Sequence, residues 1–96
     1  METKDLLIER GKTHGDYLEH ARCTQMLKNI IKNFMIVHPA SDTPVIVYDN
    51  LTVCQRESLD MIAHKIGRIL AGDPDFRDHW DDIAGYAKLV AERCTK

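Results

Sequence analysis

Apolar positions recur with a helical period in three stretches of the chain, and the strongest signal lies between Thr52 and Cys94. At roughly 100° per residue, Leu59, Ile62, Ile66, Ile69 and Leu70 share one face of a helix predicted over about 53–71. Thr52 and Gln55 have the spacing of a capping box, and Gly72 supplies the stop. Glu57, His64 and Arg68 fall on the opposite, solvated face. Asp60, Ala63, Gly67 and Ala71 form a third strip, small and headed by an acid, where another backbone can come close. A further helix is predicted over 79–94. Before it, Asp73-Pro74 opens a short turn at 74–77, and Asp78 is the expected cap. Ile83, Ala87, Val90 and Cys94 make one apolar stripe of this helix, and Asp82, Tyr86 and Leu89 a neighbouring one. Asp81 aligns with Gly85 and Lys88 and suits the helix dipole in solvent, whereas Asp82 heads an otherwise apolar stripe.

The upstream half predicts a short helix over Thr3 to Arg10, stopped at Gly11, and a long one over 14–36. Thr13 and Asp16 have capping spacing for the long helix, whose apolar arc is Cys23, Leu27, Ile30, Ile31, Phe34 and Met35. Asp16 and His20 lie on that same arc, so they need partners or each other, because an unpaired buried charge is costly. His14 and Gly15 are expected to shape the turn before it. Pro39 and Pro44 exclude a continuous helix over 37–51. Val45 to Tyr48 has extended character, but no second strand is evident, so a crossing loop is expected, with pairing to its copy in a dimer as an alternative. The fold expectation is all-α: an antiparallel bundle of three main helices plus a short N-terminal one, in a single domain over 1–96.

Composition narrows the function. Ninety-six residues leave burial marginal for a monomer, so a homodimer or higher homo-oligomer is expected to complete the core. A net charge of −2 gives no basic footprint for nucleic acid. No apolar run is long enough for a membrane span and no signal peptide opens the chain, so a cytoplasmic protein is expected. Cys23, Cys54 and Cys94 lack C-x-x-C spacing and read as reduced thiols.

The candidate chemistry is carboxylate on packed helices. Glu57 and Asp60, within one turn, together with Asp82 from the next helix, are the expected metal ligands and catalytic group. A hard cation, Mg²⁺ or alternatively Mn²⁺, takes oxygen ligands, keeps waters and grips phosphates. Lys65 and Arg68 suit phosphate oxygens. His14 and Asp16 are further candidate substrate contacts, and Trp80 or Tyr86 would pack on a base, with Asp16 or Glu19 as helpers. Each has a plainer role: His20 bonded to Asp16, Trp80 and Tyr86 in packing, Lys65 with its stem along apolar surface, Gly67 and Gly85 at close helix contacts.

The segments RESLD and HWDDIAGYAKL, about 20 residues apart, resemble the all-α nucleoside triphosphate pyrophosphohydrolases of the MazG type. ERGKTHGDYLEHAR, taken with this C-terminal half, looks closer still to small uncharacterised phage-encoded relatives; that likeness covers most of the chain except 37–51. The resemblance implies Mg²⁺-dependent cleavage of a nucleotide to monophosphate and pyrophosphate by a dimer or tetramer. Glu57, Asp60 and Asp82 match the family's acidic motifs, while Arg56 and His79 stand where acids are expected. Three functions follow: the pyrophosphohydrolase; a nucleotide-binding module without chemistry, in which Arg56, Lys65, Arg68 and the histidines hold the ligand; and a protein-binding helical phage factor.

Overall fold

The chain places α1 (Thr3–His14) and α2 (Tyr17–Asn33) ahead of a hairpin, β1 (Met35–Val37) with β2 (Pro44–Ile46). A 3-10 turn at Tyr48–Asn50 leads into α3 (Val53–Ala71) and α4 (Arg77–Ala91). This is a computed structural model that describes residues 3–37, 39–40 and 42–96. Helix accounts for 72% of it, so the helical class holds, but with a small two-stranded hairpin added. Among the described residues no helix is long and apolar enough to cross a membrane.

Helix α3 lies at the centre, with α2 on one side and α4 on the other. Its small strip explains the first contact: Ala63 and Gly67 are buried, and Thr24 and His20 of α2 press onto Gly67. The second contact is polar. The Ser58 hydroxyl donates to the Tyr86 carbonyl at 3.1 Å, and buried Lys65 pairs with Asp82 of α4 at 2.8 Å. The expected apolar face is only partly used: Ile69 is buried, Leu59, Ile62 and Ile66 are half-buried, and Leu70 is 69% exposed. Gly85 has open space around it and mediates no close helix approach.

The helix ends follow their capping chemistry. Thr52 and Gln55 form the full capping box of α3, and Gly72 is its C-cap. Asp16, not Thr13, caps α2, accepting from the Glu19 N–H at 3.3 Å. Thr13 belongs to the last turn of α1, which runs through Gly11 and stops only at Gly15, whose φ is +82°. Phe76 precedes α4 without a side-chain cap, so Asp78 sits inside the first turn, where its charge suits the dipole. That helix ends at Ala91, short of Cys94.

The long helix expected to 36 ends at Asn33, because Phe34 turns extended. Met35, Ile36 and Val37 then pair antiparallel with Ile46, Val45 and Pro44. The partner strand for 45–46 is thus residues 35–37, which straddle the expected helix end at 36 and the expected loop from 37. Pro44 begins an edge strand, where a missing N–H is tolerated. His38 and Ser41, part of the expected 37–51 loop, lie outside the described residues.

The α1–α2 corner meets the α3–α4 turn at two glycines. A Cβ on Gly15 would collide with the Ala71 carbonyl, and one on Gly72 would meet the Thr13 carbonyl and the Gly15 nitrogen. The Thr13 carbonyl accepts from the Asp73 N–H at 3.2 Å and from His79 Nε2 at 2.8 Å. Gly15→Ala is therefore expected to destabilise the protein by about 2 kcal/mol or more in urea denaturation, from left-handed strain plus collision. Gly85→Ala, in an open helical position, should instead stabilise by roughly 0.5–1 kcal/mol.

Candidate functional site

The glycine corner shapes a cleft of about 560 Å³ between α1, the start of α2 and the C-terminal half of α3. Its charged lining is Arg10, His14, Asp16, His20, His64 and Arg68. Arg10 and His14 are one turn apart on α1, and His64 and Arg68 one turn apart on α3, so each helix offers a cation and an imidazole together. Exposed Tyr17 adds an aromatic wall, its ring stacked near His20 at 6.5 Å between centroids.

His20 Nε2 and His64 Nδ1 lie 3.3 Å apart, with the rings edge to face at 4.5 Å. Such a bond needs a lone pair on one ring, so the two imidazoles do not both carry full charge while it holds. His14 Nδ1 is 2.6 Å from the Thr13 hydroxyl, and its ring packs edge-on against His79 at 5.0 Å. His79 is almost wholly buried and bonded to Thr13, which makes it a brace for the corner.

Positive charge dominates this cleft. Burial first, and the Arg68 guanidinium second, hold the His14, His20 and His64 imidazoles below their ordinary range. His64 falls to about 4, with further contributions from His20, Lys65 and Lys28. For His20 the Gly67 carbonyl pulls the other way. Burial, then Arg10, also lower Arg68, and Asp82 offsets this from beyond ion-pair distance. The one carboxylate in the lining, Asp16, uses an oxygen to cap α2.

Of the residues expected to hold substrate, His14, Asp16 and Arg68 come together here. Lys65 is instead occupied by Asp82 at 2.8 Å. Trp80 Nε1 donates to the Pro74 carbonyl at 2.7 Å, and Tyr86 packs half-buried beside Ser58, both away from the cleft lining. The three acids expected to share a metal have separate settings. Glu57 is exposed on the groove between α3 and α4. Asp60 accepts from the Tyr48 hydroxyl at 3.4 Å and lies 4.0 Å from Lys32, while Lys32 and Arg56 each sit 5.9 Å from the Tyr48 ring centre. The Asp82 carboxylate is held below its usual range by its hydrogen bond from Lys65.

Among the described residues no three His, Cys, Asp or Glu side chains group closely enough to share a metal ion. Glu57, Asp60 and Asp82 thus do not fit a common cation within one chain. The cleft residues that sequence reasoning leaves out are Arg10 and Tyr17, while His20 and His64 enter it only among the histidines of the binding-module reading. His64 and Arg68 are legible as an i,i+4 pair, but their face looks solvated in the sequence because nothing there announces that α1 folds over it. Comparison with protein-family models, curated proteins and solved structures returned no match.

A pH dependence follows. An imidazole held below its unfolded value resists protonation only in the native state. Stability is therefore expected to be level above about pH 6.5 and to fall as the pH drops from there towards 4, the window bounded by the unfolded histidine value and that of His64. Urea midpoints measured across that range should show the fall, and His64→Gln should flatten it. A midpoint that rises on acidification would contradict the assignment.

Proposed function

We propose that the chain is a nucleotide-binding module whose cleft between α1, α2 and α3 takes the phosphates of a nucleoside di- or triphosphate. One observation carries this reading: Arg10 and Arg68 point charge into a shared concavity whose lining holds three imidazoles and only one, partly committed, carboxylate. Guanidinium groups match phosphate oxygens in geometry, and partial burial strengthens the interaction. The volume lies in the ordinary range for small-molecule sites. Tyr17 offers an aromatic face beside the cleft for a base.

Hydrolysis to monophosphate and pyrophosphate is a second reading, favoured by Asp82, whose field reaches Arg68 and His79, and by the resemblance of the acidic motifs. Mg²⁺ or Mn²⁺ would serve it only where an assembly adds acids that one chain leaves apart.

The test is a panel of ribo- and deoxynucleotides, read by melting shift in EDTA and by product analysis with Mg²⁺. Ligand at about 100-fold over Kd adds about 2.7 kcal/mol to the native state, which is a Tm rise of roughly 11–22 degrees for a chain of this size. Arg68→Ala and Arg10→Ala should each weaken binding by about ten- to a hundredfold, the value of a charged hydrogen bond. Absence of any shift at millimolar nucleotide removes the binding reading. Pyrophosphate release abolished by Asp82→Asn promotes the hydrolase reading in its place.

A further inference from the structure

We infer that the outward face of α2, continued by the β1–β2 hairpin, is the interface with a second copy of this chain. The first ground is area. A compact monomer of 11.0 kDa exposes about 5,600 Å², whereas this chain exposes 7286 Å². The excess is about 1,700 Å² per chain relative to that scaling, so two copies hold about 3,300 Å² in surplus, within the range of obligate homodimers. Shape agrees: the radius of gyration is 16.7 Å against about 12.5 Å for a compact domain of this length.

The second ground is how little apolar side chain the described residues bury fully. Ala63 and Ile69 are the buried apolar side chains among the described residues. Met26 and Ile30, one turn apart on α2, are 67% and 65% exposed, and Phe34, the extended residue that follows the helix, is 60% exposed. The row leads into the hairpin, whose β1 residues Met35, Ile36 and Val37 are all exposed. An isolated two-stranded hairpin is marginal in water and needs a surface to lie on.

The third ground selects a copy as the occupant. Gln25, Asn29 and Asn33 beside the apolar row are uncharged, with the Asn33 amide donating to Asn29, and the charges at its N-terminal end, Arg22 and Glu19, neutralise each other at 2.9 Å. Nearby Lys32 leans towards Asp60 at 4.0 Å. A two-fold interface sets a surface against itself, and a neutral surface does so without like-charge repulsion. A surface that the chain needs for its own core also requires a partner present in equal amount, which a second copy always is.

The test is made without nucleotide, so that its outcome is independent of the cleft. Light scattering coupled to gel filtration should give twice 11.0 kDa or a higher even multiple, and the urea midpoint should rise with protein concentration, as it does for coupled folding and assembly. Ile30→Glu should reduce the mass to that of one chain or abolish folding at all concentrations. Leu89→Glu, at an exposed apolar position on α4, should leave mass and concentration dependence unchanged. A cooperatively folded 11.0 kDa species with a concentration-independent midpoint overturns the inference. So does an assembly that survives Ile30→Glu.

Discussion

Two backbones touching without side chains between them set the geometry of this protein. Gly15 and Gly72 bring the α1–α2 corner against the α3–α4 turn, and the Thr13 carbonyl fastens the contact by accepting from Asp73 and His79. Every wall of the cleft depends on that fastening. Arg10 and His14 come from the helix that ends at the corner, Tyr17 and His20 from the one that begins there, and His64 and Arg68 from the helix whose end it clasps. Buried His79 is therefore better placed to hold the corner than to ligate a metal.

The charges separate into two settings with different consequences. Around α3, acids find cations one to one: Asp82 with Lys65, Asp60 with Lys32 and the Tyr48 hydroxyl. These pairs tie helices together, and the nearly buried Lys65 depends on its partner because an uncompensated buried charge is costly. In the cleft the cations have no such match, and burial first, with the Arg68 guanidinium second, holds the imidazoles below their ordinary range. A multiply charged anion reverses that effect. It stabilises the guanidinium groups and draws protons back onto the histidines, so binding and proton uptake are coupled.

How much of this could be read from the residues varies along the chain. Thr52, Gln55 and Gly72 delimit α3 by local hydrogen-bond chemistry alone, and the structure keeps those limits. Ala63 and Gly67 likewise announced a close helix contact by their size. The hairpin was obscured because Met35 and Ile36 continue the helical period of α2, and a strand's partner is a non-local fact. The cleft was half legible. His14, Asp16 and Arg68 stood out, but the role of His20 and His64 depends on two helices 44 positions apart meeting. The acid cluster illustrates the reverse: sequence spacing placed Glu57, Asp60 and Asp82 on adjoining helices, while lysine and tyrosine partners drew two of them to different sides of α3.

The most direct measurement is an NMR titration of the five histidine imidazoles with a nucleoside triphosphate in EDTA. If phosphate enters the cleft, the His14, His20 and His64 resonances shift together and titrate at higher pH in the complex, with Arg68 guanidinium signals moving alongside them. Perturbations centred on Glu57 and Tyr86, or imidazoles that titrate identically with and without ligand, would contradict the account.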